Sequence, residues 1–176
     1  MKEPEVILVD NNDNEVGKIG KTAAHEKALL HRAISVFIVN DRGEWLLQQR
    51  SLDKYHSAGL WTNTCCTHPY PGESNKDAAK RRLNEEMGMV CEISELFSFI
   101  YKEKLTHELT EHELDHVFLG ITDKKPEINK LEVMNWKFVS FEALESDVKN
   151  TPENYTIWFR KIYNRVNDFL KNYEAK

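Results

Sequence analysis

No run of apolar residues approaches the length of a membrane span. The N-terminal MKEPEVILVD is acidic and lacks the apolar core of a secretory signal. Basic tracts are missing too: 24 Lys and Arg stand against 29 Asp and Glu, for a net charge of −5. A nucleic-acid binder needs a basic stripe, so neither nucleic acid nor a membrane is expected as a partner. Cysteine is scarce and odd in number, with Cys65 and Cys66 adjacent and Cys91 apart. Such a set is no disulfide framework. It implies a reducing, cytoplasmic setting in which a free thiol can be a working group. Internal repeats, low-complexity segments and linkers are absent as well.

What is there is an ordinary globular composition, 40% hydrophobic and 30% charged over 176 residues. That length builds one well-buried domain and hardly two. We therefore expect a single domain over residues 1–176, acting as a monomer or weak dimer, with a strand and hairpin extension at 1–20. Glu5 to Asp10 reads as a strand, and after the turn Asn11-Asn12-Asp13-Asn14, Val16 to Ile19 can pair back. Lys21 to Leu30 reads as a short helix or irregular segment; it and the residue after it carry His25 and His31. Ala33 to Asn40 is continuous and β-branched, hence a central strand, and Trp45 to Arg50 is its partner. Further strands are expected at Glu92 to Lys104, with Phe97, Phe99 and Tyr101 on one face, at Val117 to Thr122 and at Val133 to Val139. Ser140 caps a short helix, and Thr151-Pro152 opens a last helix that reaches about residue 172. These elements describe an α/β (α+β) fold, a mixed sheet between helices.

The most informative stretch is Trp61 to Met89, WTNTCCTHPYPGESNKDAAKRRLNEEMGM. Its second half is one helix: Ser74 is a good N-cap, Asp77 makes a weak capping box, and Gly88 sits where a C′ glycine belongs. Ala79, Leu83 and Met87 form a buried stripe, leaving Arg81, Arg82, Glu85 and Glu86 on another side. Charged pairs four apart ordinarily just decorate a solvated face. A second suggestive run, His112-Glu113-Leu114-Asp115-His116, fits the H-E-x-x-H zinc-protease pattern. That pattern needs a helix, whereas this one runs into strand-like Val117-Phe118-Leu119. If extended, Glu111 and Glu113 face one side and His112 the other, and the protease geometry fails.

The register of the helix changes its meaning. Glu73 is followed, after seven residues, by Arg81, Arg82, Leu83, Asn84, Glu85, Glu86, Met87, Gly88 and Met89. This resembles the Nudix box, G-x5-E-x7-R-E-U-x-E-E-x-G-U with U aliphatic, whose helix presents carboxylates to the metal that neutralises a substrate diphosphate. Thr67 stands in for the first Gly, and Arg82 for the Glu after Arg. The second departure weakens a multi-metal hydrolytic site and adds a group able to hold phosphate oxygens.

Other segments extend the likeness: Ala23 to Ala33 (AAH…LHRA), Leu46 to Pro69 (LLQQRSLDKYHSAGLWTNTCCTHP), Tyr101 with Glu111-x-Glu113, and Trp158. Together they resemble the type I isopentenyl diphosphate isomerases, members of the Nudix fold superfamily, over most of the chain from Lys21 onwards. The resemblance implies reversible isomerisation of isopentenyl to dimethylallyl diphosphate. It makes Cys66 the catalytic thiol and Glu113 the catalytic carboxyl, on opposite faces of the double bond. Glu113, helped by Tyr101, is favoured as donor and Cys66 as base, with Cys65 a structural neighbour. His25, His31, His68, Glu111 and Glu113 are implied as ligands of a Mg²⁺, Mn²⁺ or Fe²⁺ ion, since a mixed N/O site of five donors suits these better than structural zinc. A second ion, Mg²⁺, would bridge Glu86 and the diphosphate. Lys21, Arg50, Lys54 and Arg82 match the diphosphate-gripping cations. Trp158 matches an aromatic over the cationic carbon, and Trp61 and Tyr101 are expected to line the pocket for the five-carbon tail. No organic cofactor is implied. The competing reading is a Nudix hydrolase of an organic diphosphate.

Overall fold

The computed structural model of the chain describes residues 3–105 and 108–174. The extreme ends of the expected domain, Met1, Lys2, Ala175 and Lys176, lie outside them. In chain order the elements are β1 (Glu5–Val9), β2 (Glu15–Gly20), α1 (Lys21–Glu26), β3 (His31–Val39), β4 (Trp45–Arg50), β5 (Trp61–Thr62), β6 (Cys65–Thr67) and α2 (Asn75–Met87). β7 (Ile93–Lys104), β8 (Thr110–Ile121), β9 (Val133–Val139), α3 (Phe141–Asn150), a 3₁₀ turn (Pro152–Asn154) and α4 (Ile157–Glu174) complete the described residues.

β3 is the axis of the mixed sheet. One edge pairs with β8 in parallel along its whole length, from His31↔Glu113 to Val39↔Ile121. The other edge is shared by β1, β6 and β4, all antiparallel. β7 adds to β8, and β9 and β5 add to β4. Because side chains alternate across a strand, the apolar run of β3 serves two cores. Ile34, Val36 and Ile38 pack under α2 with Ala79, Leu83 and Met87. Phe37 and Val39 face α3 and α4, where Phe159, Ile162 and Val166 fill the other layer. The same alternation separates the adjacent cysteines: Cys65 is buried in the α2 layer, whereas Cys66 packs at the edge of the α4 layer.

α2 starts and ends where its caps require. The Ser74 hydroxyl accepts from the Asp77 N–H at 3.1 Å, and Gly88 closes the helix with φ 61°. A Cβ at Gly88 would lie 2.5 Å from the Glu127 carbonyl oxygen. Gly88→Ala therefore combines a left-handed backbone with a backbone clash, and we expect it to destabilise the fold by about 1–3 kcal/mol, read as a lower urea midpoint at unchanged slope.

The last helix differs from expectation. Thr151 does not cap it, because its hydroxyl donates back to the Asp147 carbonyl at 2.9 Å and closes α3 instead. The chain then makes one 3₁₀ turn and extends through Tyr155, and the Thr156 N–H donates to the Trp61 carbonyl at 3.0 Å. α4 begins only after that docking, which sets Trp158 in its first turn. β8 also begins earlier than expected, at Thr110, so the acidic histidine stretch is strand and not helix. Among the described residues no helix is long and apolar enough to cross a membrane.

Candidate active site

The strand β8 brings Glu113 beside His31, its register partner on β3. Three imidazole nitrogens close on one carboxylate oxygen: Nε2 of His25, His31 and His68 lie 3.7, 3.5 and 3.0 Å from Glu113 Oε1. His25 and His31 are each fixed through Nδ1, 2.8 Å from the carbonyls of Lys21 and Leu29. With Nδ1–H donated there, each Nε2 carries a lone pair, is buried and has no hydrogen-bond partner. Buried polar atoms are rarely left orphaned without a functional reason. Ligand atoms of His25, His31, His68 and Glu113 all lie within 4.8 Å of one another. Two orphaned imidazole nitrogens, a third imidazole and a carboxylate are a donor set suited to a divalent cation. Glu111, expected as a fifth ligand, stands outside this group of four. It joins through Tyr101, whose hydroxyl donates to Glu113 Oε2 at 2.7 Å and lies 3.1 Å from Glu111 Oε2. The alternation of β8 is as expected: His112 turns away, its Nδ1 2.9 Å from the Ala28 carbonyl.

Burial alone would raise the Glu113 carboxyl, but the imidazoles that converge on it, His68 closest at 3.0 Å, hold it well below the usual range. Burial, then the charge of Glu113, push Glu111 and Tyr101 up. Burial and the Lys21 charge press His68 down to about 3, so it is neutral at pH 7 and able to ligate.

Cys66 lies on β6, across β3 from Glu113. Cys66 pairs with Ser35 and Glu113 with His31, so they stand on opposite sides of β3 and four residues apart along it, with Ala33 and Ser35 lining the cavity between. The Asn63 side-chain amide brackets the sulfur, Nδ2 at 3.2 Å and Oδ1 at 3.3 Å, and is itself anchored to the Val36 and Cys65 carbonyls. Ser35 Oγ is 3.7 Å from the sulfur and donates to Asp115 at 2.7 Å. Burial, then the Asp115 charge, push the Cys66 thiol up to about 12.

These groups share a cavity of about 380 Å³ with Lys21, Arg50, Lys54, Arg82 and Trp158. Of the residues expected at the site, all but His31, 3.5 Å from Glu113, and Trp61 line it. The cations are not equivalent. Burial draws Lys21 down to about 8. Arg50 spends Nε and one Nη on the Ser57 and His56 carbonyls, both at 3.1 Å, and stacks 5.3 Å from the Trp158 ring centre. Lys54 and Arg82 are ion-paired with Glu86, which is only 2% exposed and also accepts from Gln48 at 2.6 Å. The other pair of α2 also forms, Arg81 to Glu85 at 3.2 Å, and Arg81 reaches Glu73 as well, at 2.7 Å. Trp61 does not line the cavity; its ring lies under Lys137, 4.5 Å away, beside the β5–β4 pairing.

Sequence reasoning missed Ser35, Asn63, Asp115, His56 and Glu132. Ser35 had a signal, as the lone hydroxyl inside AISVFIVN. His56 is buried against Trp158, with ring centres 5.9 Å apart. Burial and the Arg50 and Lys21 charges press it down to about 2. A folded value below the unfolded one means that, as pH falls below about 6.5, the unfolded chain takes up a proton that the folded chain refuses. The stabilisation from neutral His56 is therefore complete above that pH and lost below it. The unfolding free energy of wild type, relative to His56→Gln, should fall by roughly 1 kcal/mol per pH unit between pH 6 and 4, measured by urea titration.

A mixed sheet flanked by helices, with Arg82 and Glu86 of α2 at the cavity wall, defines a class: the NUDIX domain, whose family model matches residues 29–161. Solved structures agree on the fold. A Deinococcus radiodurans protein superposes with a TM-score of 0.77 at 20% identity, covering 92% of this chain and 98% of that one. The MutT protein of Methanosarcina mazei Go1 does so with 0.65 at 23%, covering 81% and 96%. Sequence relatives are more specific. Isopentenyl-diphosphate Delta-isomerase 2 of Aromatoleum aromaticum is 50% identical over 93% of this chain and 87% of its own length. The isopentenyl-diphosphate Delta-isomerase of Pectobacterium atrosepticum is 46% identical over 98% and 96%. The chain belongs to the isopentenyl-diphosphate Delta-isomerase family of the NUDIX fold.

Proposed function

We infer that this chain interconverts isopentenyl and dimethylallyl diphosphate by moving a proton on and off carbon, with Cys66 and Glu113 as the two proton-handling groups. The observation that supports these roles is their placement on strands either side of β3, facing one cavity that also holds the cations. An alkene lying over Ala33 and Ser35 would have one group toward each end.

The terminal CH₂ of the alkene takes a proton and becomes a methyl group, which leaves positive charge on the branched carbon. The CH₂ on the other side of that carbon loses a proton, and its C–H electron pair becomes the new double bond. Atoms and charge balance, and the diphosphate is not cleaved. In one direction Glu113, with the Tyr101 hydroxyl 2.7 Å from its Oε2, serves as donor and Cys66 as base. In the opposite direction the roles exchange, with Tyr101 hydrogen-bonded to Glu113 throughout. A desolvated cation over an aromatic face is stabilised by about 2 kcal/mol, so Trp158, 4% exposed and at the cavity wall, supplies only part of what the carbocation needs. Exclusion of water does the rest, since water would trap it.

His25, His31, His68 and Glu113 would hold one divalent ion, Mg²⁺, Mn²⁺ or Fe²⁺, with Glu111 adjacent. When bound, that ion supplies a fixed positive charge that orients Glu113. Glu86 would hold Mg²⁺ against the diphosphate, which Lys21, Arg50, Lys54 and Arg82 grip. Arg82 occupies a box position where a hydrolase carries a carboxylate, which favours holding the diphosphate over cleaving it. We propose further that residues 1–176 act as a single domain in the cytoplasm, with 1–20 as a hairpin extension of the sheet. The test is incubation with isopentenyl diphosphate and Mg²⁺ followed by acid. An allylic diphosphate ionises in acid and gives up a five-carbon alcohol, while the homoallylic substrate survives. Acid-labile product is expected; release of phosphate before acid treatment would contradict the assignment.

A further inference from the structure

Lys54 and Arg82 are the cations nearest Glu86, yet each also has a second partner. Lys54 Nζ lies 3.1 Å from Glu86 Oε1 and is paired with Glu132 as well. Arg82 Nη2 lies 2.5 Å from the same Glu86 oxygen and 2.7 Å from Glu132 Oε2. The four side chains form a ring of alternating charge, two positive and two negative, and Arg82 is further paired with Glu85 at 3.3 Å, so the cluster has no net positive charge to offer an anion.

Glu132 is outside the α2 motif and is firmly placed. Its N–H donates to the Asn129 carbonyl at 2.9 Å, and its carbonyl accepts from the Ser51 N–H at 3.0 Å. The Asn129 N–H in turn donates to the Glu86 carbonyl at 2.9 Å. Backbone bonds thus tie the stem of Glu132 both to the end of α2 and to the turn that carries Lys54. The residue lines the same cavity as the cations it neutralises.

We propose that Glu132 is a built-in stand-in for the diphosphate, which keeps Lys54 and Arg82 neutralised until a divalent ion enters at Glu86 and so makes diphosphate binding conditional on that ion. The proposal rests on the roles given above to Lys54, Arg82 and Glu86. A bare diphosphate must displace Glu132 from two partly buried ion pairs and then face two carboxylates, both of which cost binding energy. A divalent ion offsets the charge of Glu86 and Glu132, and the two cations then turn their charge toward the phosphate oxygens. The ion and the diphosphate are thereby thermodynamically coupled, and each must strengthen the other by the same factor.

Inorganic pyrophosphate is the probe, titrated calorimetrically into the full chain in Mg²⁺-free buffer and again with Mg²⁺. Wild type should bind pyrophosphate at least about 100-fold more tightly with Mg²⁺. Glu132→Gln should bind it about tenfold more tightly than wild type without Mg²⁺, and its Mg²⁺ enhancement should shrink by about the same factor. Glu132→Asp, which keeps the charge, should retain most of the enhancement. Glu132→Ala should shift like Glu132→Gln, so failure of one variant to fold leaves the other to decide. An unchanged Mg²⁺ enhancement in a folded Gln or Ala variant overturns the proposal. The underlying grip is tested separately by the double variant Lys54→Met, Arg82→Met. If that protein binds Mg²⁺-pyrophosphate as tightly as wild type, the roles of Lys54 and Arg82 fail and the proposal with them.

Discussion

Cys66→Ala loses isomerisation by about 10³-fold or more while folding normally and keeping its divalent ion, because positioned proton transfer is worth about 10²–10⁴-fold. The loss falls on turnover. The sulfur sits among Asn63 and Ser35, away from the imidazole cluster and the Glu86 ion pairs, so diphosphate affinity should change by less than about threefold. Cys65→Ala is the informative control. That thiol lies under α2 in the opposite core layer, so its loss leaves a small cavity costing about 1 kcal/mol and full turnover. A Cys66→Ala protein that retained most of its rate would remove the thiol from the chemistry. A hydrolase reading predicts that retention, since displacement at phosphorus has no use for this residue.

Glu113→Gln is expected to lose about 10³-fold or more in rate and to lose the divalent ion of the imidazole cluster together with it. Its Oε1 is the point on which three imidazoles converge, and its Oε2 accepts from Tyr101 at 2.7 Å. An amide keeps the shape and removes the charge. Metal content after exhaustive dialysis, measured by elemental analysis alongside turnover, gives both readouts. Retention of a full metal complement with wild-type turnover would contradict the role of Glu113 in either. Tyr101→Phe, by contrast, should keep the ion and lose about 10-fold to 100-fold in rate, since it removes one hydrogen bond to the carboxylate and not the carboxylate itself.

The site was legible to the extent that its signals were local. Glu111 and Glu113 alternate on one strand, and Cys66 sits two residues from His68, so sequence spacing already places them. The caps of α2 could be read because Ser74 and Gly88 act on their own helix. Thr151 misled because its hydroxyl had two possible customers, and Asp147 four residues back won over the helix ahead. Trp61 misled because an aromatic near a catalytic loop looks like pocket lining, while strand pairing to Gln49 turned it toward Lys137. The pair Ser35–Asp115 joins residues 80 apart, through the parallel register of β3 and β8. No local pattern encodes such a register. Glu132 reaches Arg82 across 50 residues for the same kind of reason: it comes with the entry to β9 and not with the helix motif. In this chain the groups that gather at the cavity are legible from local spacing, and the residues that hold them in place depend on strand order.

The most direct test of the account is proton NMR of isopentenyl diphosphate incubated with the protein and Mg²⁺ in heavy water, under a reductant that protects Cys66. Protonation and deprotonation at carbon predict that the terminal alkene signals decay, that dimethylallyl diphosphate appears, and that deuterium enters its methyl group. An unshifted alkene with phosphate released into solution would contradict the account and assign the cavity to hydrolysis.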